Sequence, residues 1–386
     1  MKIAFITQPW DGIGPGSSLG ILTCNIIKRL IKNNKVIVFA KNGKCNLEDN
    51  GNVEYFHFFY KTDAVIEKIF IFFSNLIKYK ENKNPVFNSF FYYFFYSLSI
   101  SLKLKKINAD IVHIHNFSQF VPVIRFFNKN IKILLTSHGA DAFTFDNIIG
   151  NFIKKFTLQH IDGLTVVSNA IKDKVKEIGY NKEIGVYPMG VDTDLFNPGK
   201  KDLTIRENLN IPGDFLLFVG RLSEKKGLKY LLEAMLDVVK EFPLISLVII
   251  GDGPLKSDLT EVTKKSGITA NVIFLGPLPH EKLPSFFATA DIFIGPSITA
   301  RSGDSEGFGL VFAEAMSSGT IVLASDVSAI KDIVKDNETG FIVKQKNSRE
   351  LSEKILYLLI FLALFSAQFS SYQHYVENSH YLEFRL

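Results

Sequence analysis

A chain of 386 residues is long enough for two domains with separate cores, and 47% hydrophobic with 22% charged residues excludes a disordered protein. The net charge of +5 is too small to point to nucleic acid, yet it suits phosphorylated substrates or an anionic membrane surface. Cys24 and Cys45 show no ligand spacing, so neither a disulfide framework nor a zinc site is indicated, and the apolar run at the N-terminus is too short for a signal peptide, which predicts a cytoplasmic protein.

Lys2 to Thr7 reads as a buried strand, followed by a glycine-rich loop and a helix through Ile31. In doubly wound folds such a turn brings backbone close to phosphate. The dinucleotide fingerprint fails, because the third glycine expected after Gly12 and Gly14 is Ser17, and the strand Lys35 to Ala40 ends in Lys41 instead of an acid. Val53 to Tyr60 reads as a third strand. From Ile69 to Leu104 the chain is crowded with aromatics and edged by lysines, while Asn88, Ser89, Ser97, Ser99 and Ser101 interrupt the most apolar window. Two readings stand for it: a helix lying in the interface of a membrane, or a helix packing between domains.

Asp110 to His115 and Ile131 to Ser137 read as further strands. His113 and His115 share one face with no third ligand nearby, which favours a strand end lining a cleft over a metal site. His138 is delivered to the carboxyl end of its strand, where open parallel sheets place ligands, and Asp141 is suited to cap the next turn. After a strand at Leu164 to Ser168, the polar stretch 199–213 reads as a linker. The strand Phe215 to Gly220 runs into Arg221, with Lys226 at a helix start, so two cations stand beside a positive helix terminus as a diphosphate clamp. Ser246 to Pro254 repeats strand, glycine turn and helix, with Gly251 and Gly253 letting a nucleotide approach backbone.

After strands at Asn271 to Leu275 and Ala290 to Gly295, the stretch Glu306 to Glu314 sets two carboxylates eight residues apart. If helical, those eight residues rise roughly 12 Å and return to within about a quarter turn. One side of one helix is then expected to touch both ends of a polyhydroxylated ligand, with the N–H groups of Phe308, Gly309 and Leu310 facing anions or hydroxyls. Thr320 to Ala324 reads as a strand. Beyond Lys354 an apolar run, Ile355 to Phe365, gives way to a tail of Ser, His and Tyr, and the run is too short to span a bilayer.

E-G-F-G-L-V-F-A-E-A-M resembles the Glu-x7-Glu signature of the retaining glycosyltransferases of family 4, which have the GT-B fold and use nucleotide sugars. The segments V-G-R-L with Lys226-Gly227 and T-S-H-G-A-D are similar to two further motifs of that family, and the turn Pro188 to Pro198 resembles its domain-closing turn, which implies that Asp192 and Asp194 bond backbone instead of metal. The resemblance implies an α/β protein of two doubly wound Rossmann-like domains facing a central cleft: an acceptor-side domain at 1–198, a linker at 199–213, a nucleotide-sugar domain at 214–354 and an atypical tail at 355–386. Gly14 and Gly16 would meet the diphosphate or the acceptor, His138 the donor sugar, Arg221 and Lys226 the two phosphates, Gly253 the nucleotide, Glu306 the sugar hydroxyls and Glu314 the ribose.

The implied reaction is retaining transfer from a nucleotide-diphosphate sugar to a lipid-linked or polysaccharide acceptor, with no metal and no resident cofactor. A place on the inner membrane face and no nucleic-acid partner complete the expectation. The loop Pro296 to Ser305 looks like that of members that build bacterial surface polysaccharides. Ser328 to Asp332 departs from the family's Gly-Gly-x-x-Glu turn, and the tail departs from its closing helix. Two rivals stay in view: a nucleotide-sugar epimerase, which the same fold also hosts and against which the Gly-Arg and Glu-x7-Glu motifs argue, and a catalytically impaired nucleotide-sugar-binding protein, which the abnormal tail makes plausible.

Overall fold

The computed structural model describes residues 1–7, 18–40, 44–45, 51–57, 97–115, 120–143 and 148–378. They form two compact units, one of 1–191 with 299–310 and 328–333, the other of 192–298 with 311–327 and 334–386. Each is built on one parallel sheet.

The first sheet contains β1 (Lys2–Ile6), β2 (Lys35–Ala40), β3 (Val53–His57), β4 (Ile111–His115), β5 (Lys132–Ser137), β6 (Gly163–Val166) and β7 (Gly185–Val186), in the order β3-β2-β1-β4-β5-β6-β7. The second contains β8 (Phe215–Val219), β9 (Ser246–Ile250), β10 (Val272–Gly276), β11 (Ile292–Gly295), β12 (Ile321–Ser325) and β13 (Phe341–Val343), in the order β10-β9-β8-β11-β12-β13. The central strands of each are near-continuous apolar runs, as in Phe215–Val219 and Ser246–Ile250, all of whose residues are buried. Such runs form parallel strands because helices cover both faces. Each sheet reverses its strand order in the middle, beside β1 and β4 in one and β8 and β11 in the other. Ligands of open α/β sheets gather at the carboxyl ends next to such a reversal.

Three expectations change here. Cys24 and Cys45 are disulfide-bonded, with Cα atoms 5.3 Å apart. The cause is packing: the apolar side of the helix Ser18–Leu30 lies on β1 and β2 through Ile27, Phe5, Val36 and Val38, and Cys45 belongs to the same cluster. The stretch 199–213 is no bare linker, because it carries the helix Thr204–Asn208, buries Ile205 and Ile211, and holds Arg206 to Asp291 at 2.6 Å. The segment after Lys354 is not an atypical tail where it begins. One helix runs from Ser348 to Asn378, and Ile355, Leu358 and Leu359 are buried in the second unit's core, because the apolar run meets the helix Leu228–Glu241.

Of the aromatic stretch, residues 69–96 lie outside the described residues. Its remainder is helical, with Ile100 and Leu104 buried in the first unit's core, which is a packing role for that part. Among the described residues no helix is long and apolar enough to cross a membrane.

Candidate functional site

Among the described residues, His138, Arg221 and Gly253 follow the carboxyl ends of the central strands β5, β8 and β9. In the first unit, alternation along Ile-Val-His-Ile-His sends His113 and His115 to one face of β4, beside the ring of Phe5 at 4.9 and 4.5 Å. β4 and β5 pair with His115 opposite Thr136, so His138, just past the end of β5, reaches across. Nδ1 of His115 and Nε2 of His138 are 2.7 Å apart, and the rings stack at 4.9 Å. His113 Nε2 bonds the Thr136 hydroxyl at 2.7 Å, which bonds Thr165 Oγ1 at 2.6 Å.

Burial pushes His113 and His138 down to about 4, and holds His115 well below the usual imidazole range, with its two histidine neighbours adding to the effect. The three rings are therefore neutral at pH 7. Among the described residues no cluster of three or more His, Cys, Asp or Glu side chains is arranged to hold a metal ion. Asp141 caps the turn as expected, accepting the Gly139 N–H and the Ser137 hydroxyl at 3.0 Å each.

The turn that carries His138 rests against the turn that carries Glu306. Gly139 has φ +113°, and a Cβ there would stand 2.3 Å from the Cα of Gly307; a Cβ on Gly307 would stand 1.8 Å from the His138 carbonyl oxygen. Two glycines thus let two backbones touch, and two motifs far apart in the chain become neighbours. Glu306 is 7% exposed, and Phe308 drops its ring into the first unit's core.

In the second unit, Gly220 directly follows β8 and Gly251 directly follows β9. A Cβ on Gly251 would stand 1.9 Å from the Gly220 carbonyl oxygen, and one on Gly253 2.4 Å from that of Leu222. Lys226 closes the short helical turn Glu224–Lys226, and its stem runs back along Gly220. The next residue, Gly227, is left-handed (φ +67°) and starts the helix Leu228–Glu241. Arg221 is exposed beside them. Arg221 and Lys226 thus stand in the chain beside glycine-walled backbone and a helix start, and glycine turns and helix starts of this kind suit phosphate oxygens.

The two carboxylates do not share a helix face. Gly309 at φ +91° ends the extended turn, the helix begins at Leu310 and runs only to Ser317, and Glu306 belongs with the first unit while Glu314 belongs with the second. Glu314 is 3% exposed, and His280 Nε2 meets its Oε1 at 2.9 Å, with the His280 ring 5.1 Å from that of Phe196. Nothing in the sequence singles out His280, since no spacing ties it to Glu314. Asp192 behaves as anticipated: its carboxylate accepts the N–H groups of Asp194 and Leu195 at 3.1 Å each. Gly14 and Gly16 lie outside the described residues.

A family model described as Glycosyltransferase Family 4 matches residues 19–195, and one described as Glycosyl transferases group 1 matches residues 201–360. The chain is 31% identical over 254 residues to an uncharacterized glycosyltransferase of Methanocaldococcus jannaschii, covering 65% of each. It is 27% identical over 234 residues to the GDP-mannose-dependent alpha-(1-6)-phosphatidylinositol monomannoside mannosyltransferase of Mycobacterium tuberculosis, 59% of this chain and 60% of that one. The chain thus spans 60 to 65% of the length of these curated relatives. Among solved structures, that of Anabaena HepE in complex with UDP matches 92% of this chain and 89% of the other with a TM-score of 0.68 at 19% identity, a likeness of fold.

Proposed function

We propose, from the premise that this chain belongs to the group 1 and family 4 glycosyltransferases and has their GT-B fold, that it moves a hexose from a nucleotide-diphosphate sugar to a lipid-linked or polysaccharide acceptor with retention at the anomeric carbon. The observation that carries this reading is the backbone surface at the ends of β8 and β9, where glycines clear the way and Arg221 and Lys226 supply positive charge. Fixed cations aimed at charge that develops on a leaving group lower a barrier most when they need no rearrangement.

In the proposed reaction the bond between the anomeric carbon and the diphosphate oxygen breaks. Arg221, Lys226 and nearby amides take up the negative charge, so no metal ion is called for and no resident cofactor takes part. The acceptor hydroxyl attacks from the face the diphosphate leaves, its oxygen bonds the anomeric carbon, and its proton passes to the departing phosphate. Glu306 and His138 would hold the sugar, Glu314 the ribose with its carboxylate steadied by His280, and the amides of Gly253, Phe308, Gly309 and Leu310 the remaining oxygens. Gly14 and Gly16 would approach the diphosphate or the acceptor.

The M. tuberculosis relative is named for GDP-mannose and a phosphatidylinositol mannoside, and HepE holds UDP. These names support a nucleotide-sugar donor and a lipid-linked acceptor; a place on the inner face of a membrane is part of the same proposal and is not drawn from the names.

A thermal-shift panel of GDP and UDP sugars tests the first step, because a ligand that binds only the folded chain raises its melting temperature. The matching donor is then offered with lipid-linked and oligosaccharide acceptors in EDTA, and the product anomer is read by NMR. Retention is expected, and an inverted anomer, or a panel in which nothing raises the melting temperature, overturns the reading.

A further inference from the structure

The hydrogen bond between His115 and His138 fixes more than a distance. Both rings are neutral, held so by burial, and a neutral imidazole donates from one nitrogen and accepts at the other. His115 Nδ1 faces His138 Nε2 at 2.7 Å, while the outer nitrogens, His115 Nε2 and His138 Nδ1, are buried with no hydrogen-bond partner among the described residues. Whichever ring donates in the shared bond, one outer nitrogen carries an orphan N–H and the other a bare lone pair. The structure decides only which end gets which.

If His138 donates, the orphan N–H sits on His115, which is 1% exposed, packed on Phe5 and beyond the reach of any ligand. If His115 donates, the deep end keeps a bare lone pair, and the orphan N–H sits on His138, the less buried of the two residues, although its Nδ1 is itself covered. Buried N–H groups without an acceptor are the rarer and costlier of the two. The second arrangement also puts the unmet donor on the ring that would meet the sugar in the proposed function.

We infer that His115 is a positioning residue: it donates from Nδ1 to Nε2 of His138 and so fixes His138 with its own proton on Nδ1, as a hydrogen-bond donor to a sugar oxygen. An isolated neutral histidine prefers its proton on Nε2, so this arrangement needs the partner. The ligand half of the inference rests on the proposed placing of the donor sugar at His138; the tautomer does not.

The full chain, labelled with 15N in its histidines, tests this at pH 7 by long-range 1H–15N spectra, with His138 assigned through His138→Ala. The wild type is expected to show a protonated Nδ1 and a bare Nε2 on His138, and His115→Phe to return the proton to Nε2. Loss of the donated bond should lower kcat/KM for the donor roughly tenfold. His115→Asn, whose amide can donate from near the position of Nδ1, should recover most of it. A wild-type His138 protonated on Nε2, or a tautomer that His115→Phe leaves unchanged, overturns the inference, and the wild-type spectrum gives that answer even if the variants fold poorly. A tautomer that shifts as stated, with transfer unaffected in His115→Phe and His138→Ala, upholds the lock and overturns only the placing of the sugar at His138.

Discussion

The two strand-end assemblies solve the same packing problem and opposite electrostatic ones. At both, glycines let backbones touch where a Cβ would stand within about 2 Å of another residue's main chain, Gly307 against His138 in the first unit and Gly251 against Gly220 in the second. Around that frame the first unit sets neutral imidazoles and a buried glutamate, and the second sets an exposed arginine and a half-buried lysine. Burying a cation without a partner is expensive, whereas a neutral ring that hydrogen-bonds its neighbour is not. Groups that would bind the charged end of a donor therefore stay near water, and groups that would read hydroxyls sit in the dry part. Variants that affect one assembly and spare the other make the contrast measurable.

The largest effect is expected from the charged side. Arg221→Ala or Lys226→Ala should lower turnover roughly 10²- to 10³-fold, the usual loss on removing one fixed stabiliser of leaving-group charge. Urea unfolding should hardly change, since Arg221 is exposed and Lys226 half-buried. Turnover within a few-fold of wild type would leave the clamp without support.

On the neutral side the expected signature is stability against pH. His113 and His138 have folded values near 4, below the ordinary 6.5, so protons prefer the unfolded chain. The stability held above about pH 6.5 is lost as pH falls toward 4, by on the order of 3 kcal/mol for one such histidine and less than additively for the cluster. Unfolding free energies between pH 7 and 4 should show that slope, and His113→Phe should flatten it. A slope unchanged by that substitution would mean the rings protonate without cost.

Next comes the glycine frame itself. Gly307→Ala drives a methyl group into the His138 carbonyl and should cost about 1–3 kcal/mol of the first unit's stability. Gly190→Ala in the same unit meets nothing within 4 Å, so its cost should stay within about 0.5 kcal/mol. Equal midpoints for the two variants would show that the turns can part.

These contrasts also mark what the sequence discloses. Buried parallel strands such as Phe215–Val219 are legible because apolar residues run without a break, and Arg221, Lys226 and His138 are legible because each follows such a strand. β13 is three residues long and carries too little pattern to read. Glu306 and Glu314 are misplaced by a helical count, because Gly309 opens the helix three residues after Glu306 and leaves that acid on an extended turn. The disulfide, the His280 bond to Glu314 and the meeting of Gly139 with Gly307 all join residues whose nearness is made by packing, which spacing along the chain does not encode. One signal was available for the last: in both motifs a glycine directly follows the residue expected to touch sugar.

The smallest effect concerns Ser328 to Asp332, the turn that departs from the family pattern. Asp332 reaches the first unit's helix Asn169–Glu177, accepting the Asn169 N–H at 2.6 Å and the Asn169 side-chain amide at 3.3 Å. Ser168 caps the same helix from inside, accepting the Ile171 N–H at 3.3 Å. Two different donors of one helix start are thus met by a charged, exposed acceptor and by a buried neutral one. Removing either should cost about 1 kcal/mol, but only the Asp332 contribution should shrink as salt rises, because ions screen an exposed carboxylate facing a helix dipole. Urea titrations of Ser168→Ala and Asp332→Ala at low and high salt separate the two, and a salt-insensitive Asp332→Ala would reduce Asp332 to a plain hydrogen-bond acceptor. The double variant should then add within about 0.5 kcal/mol, since the two caps share neither donor nor acceptor.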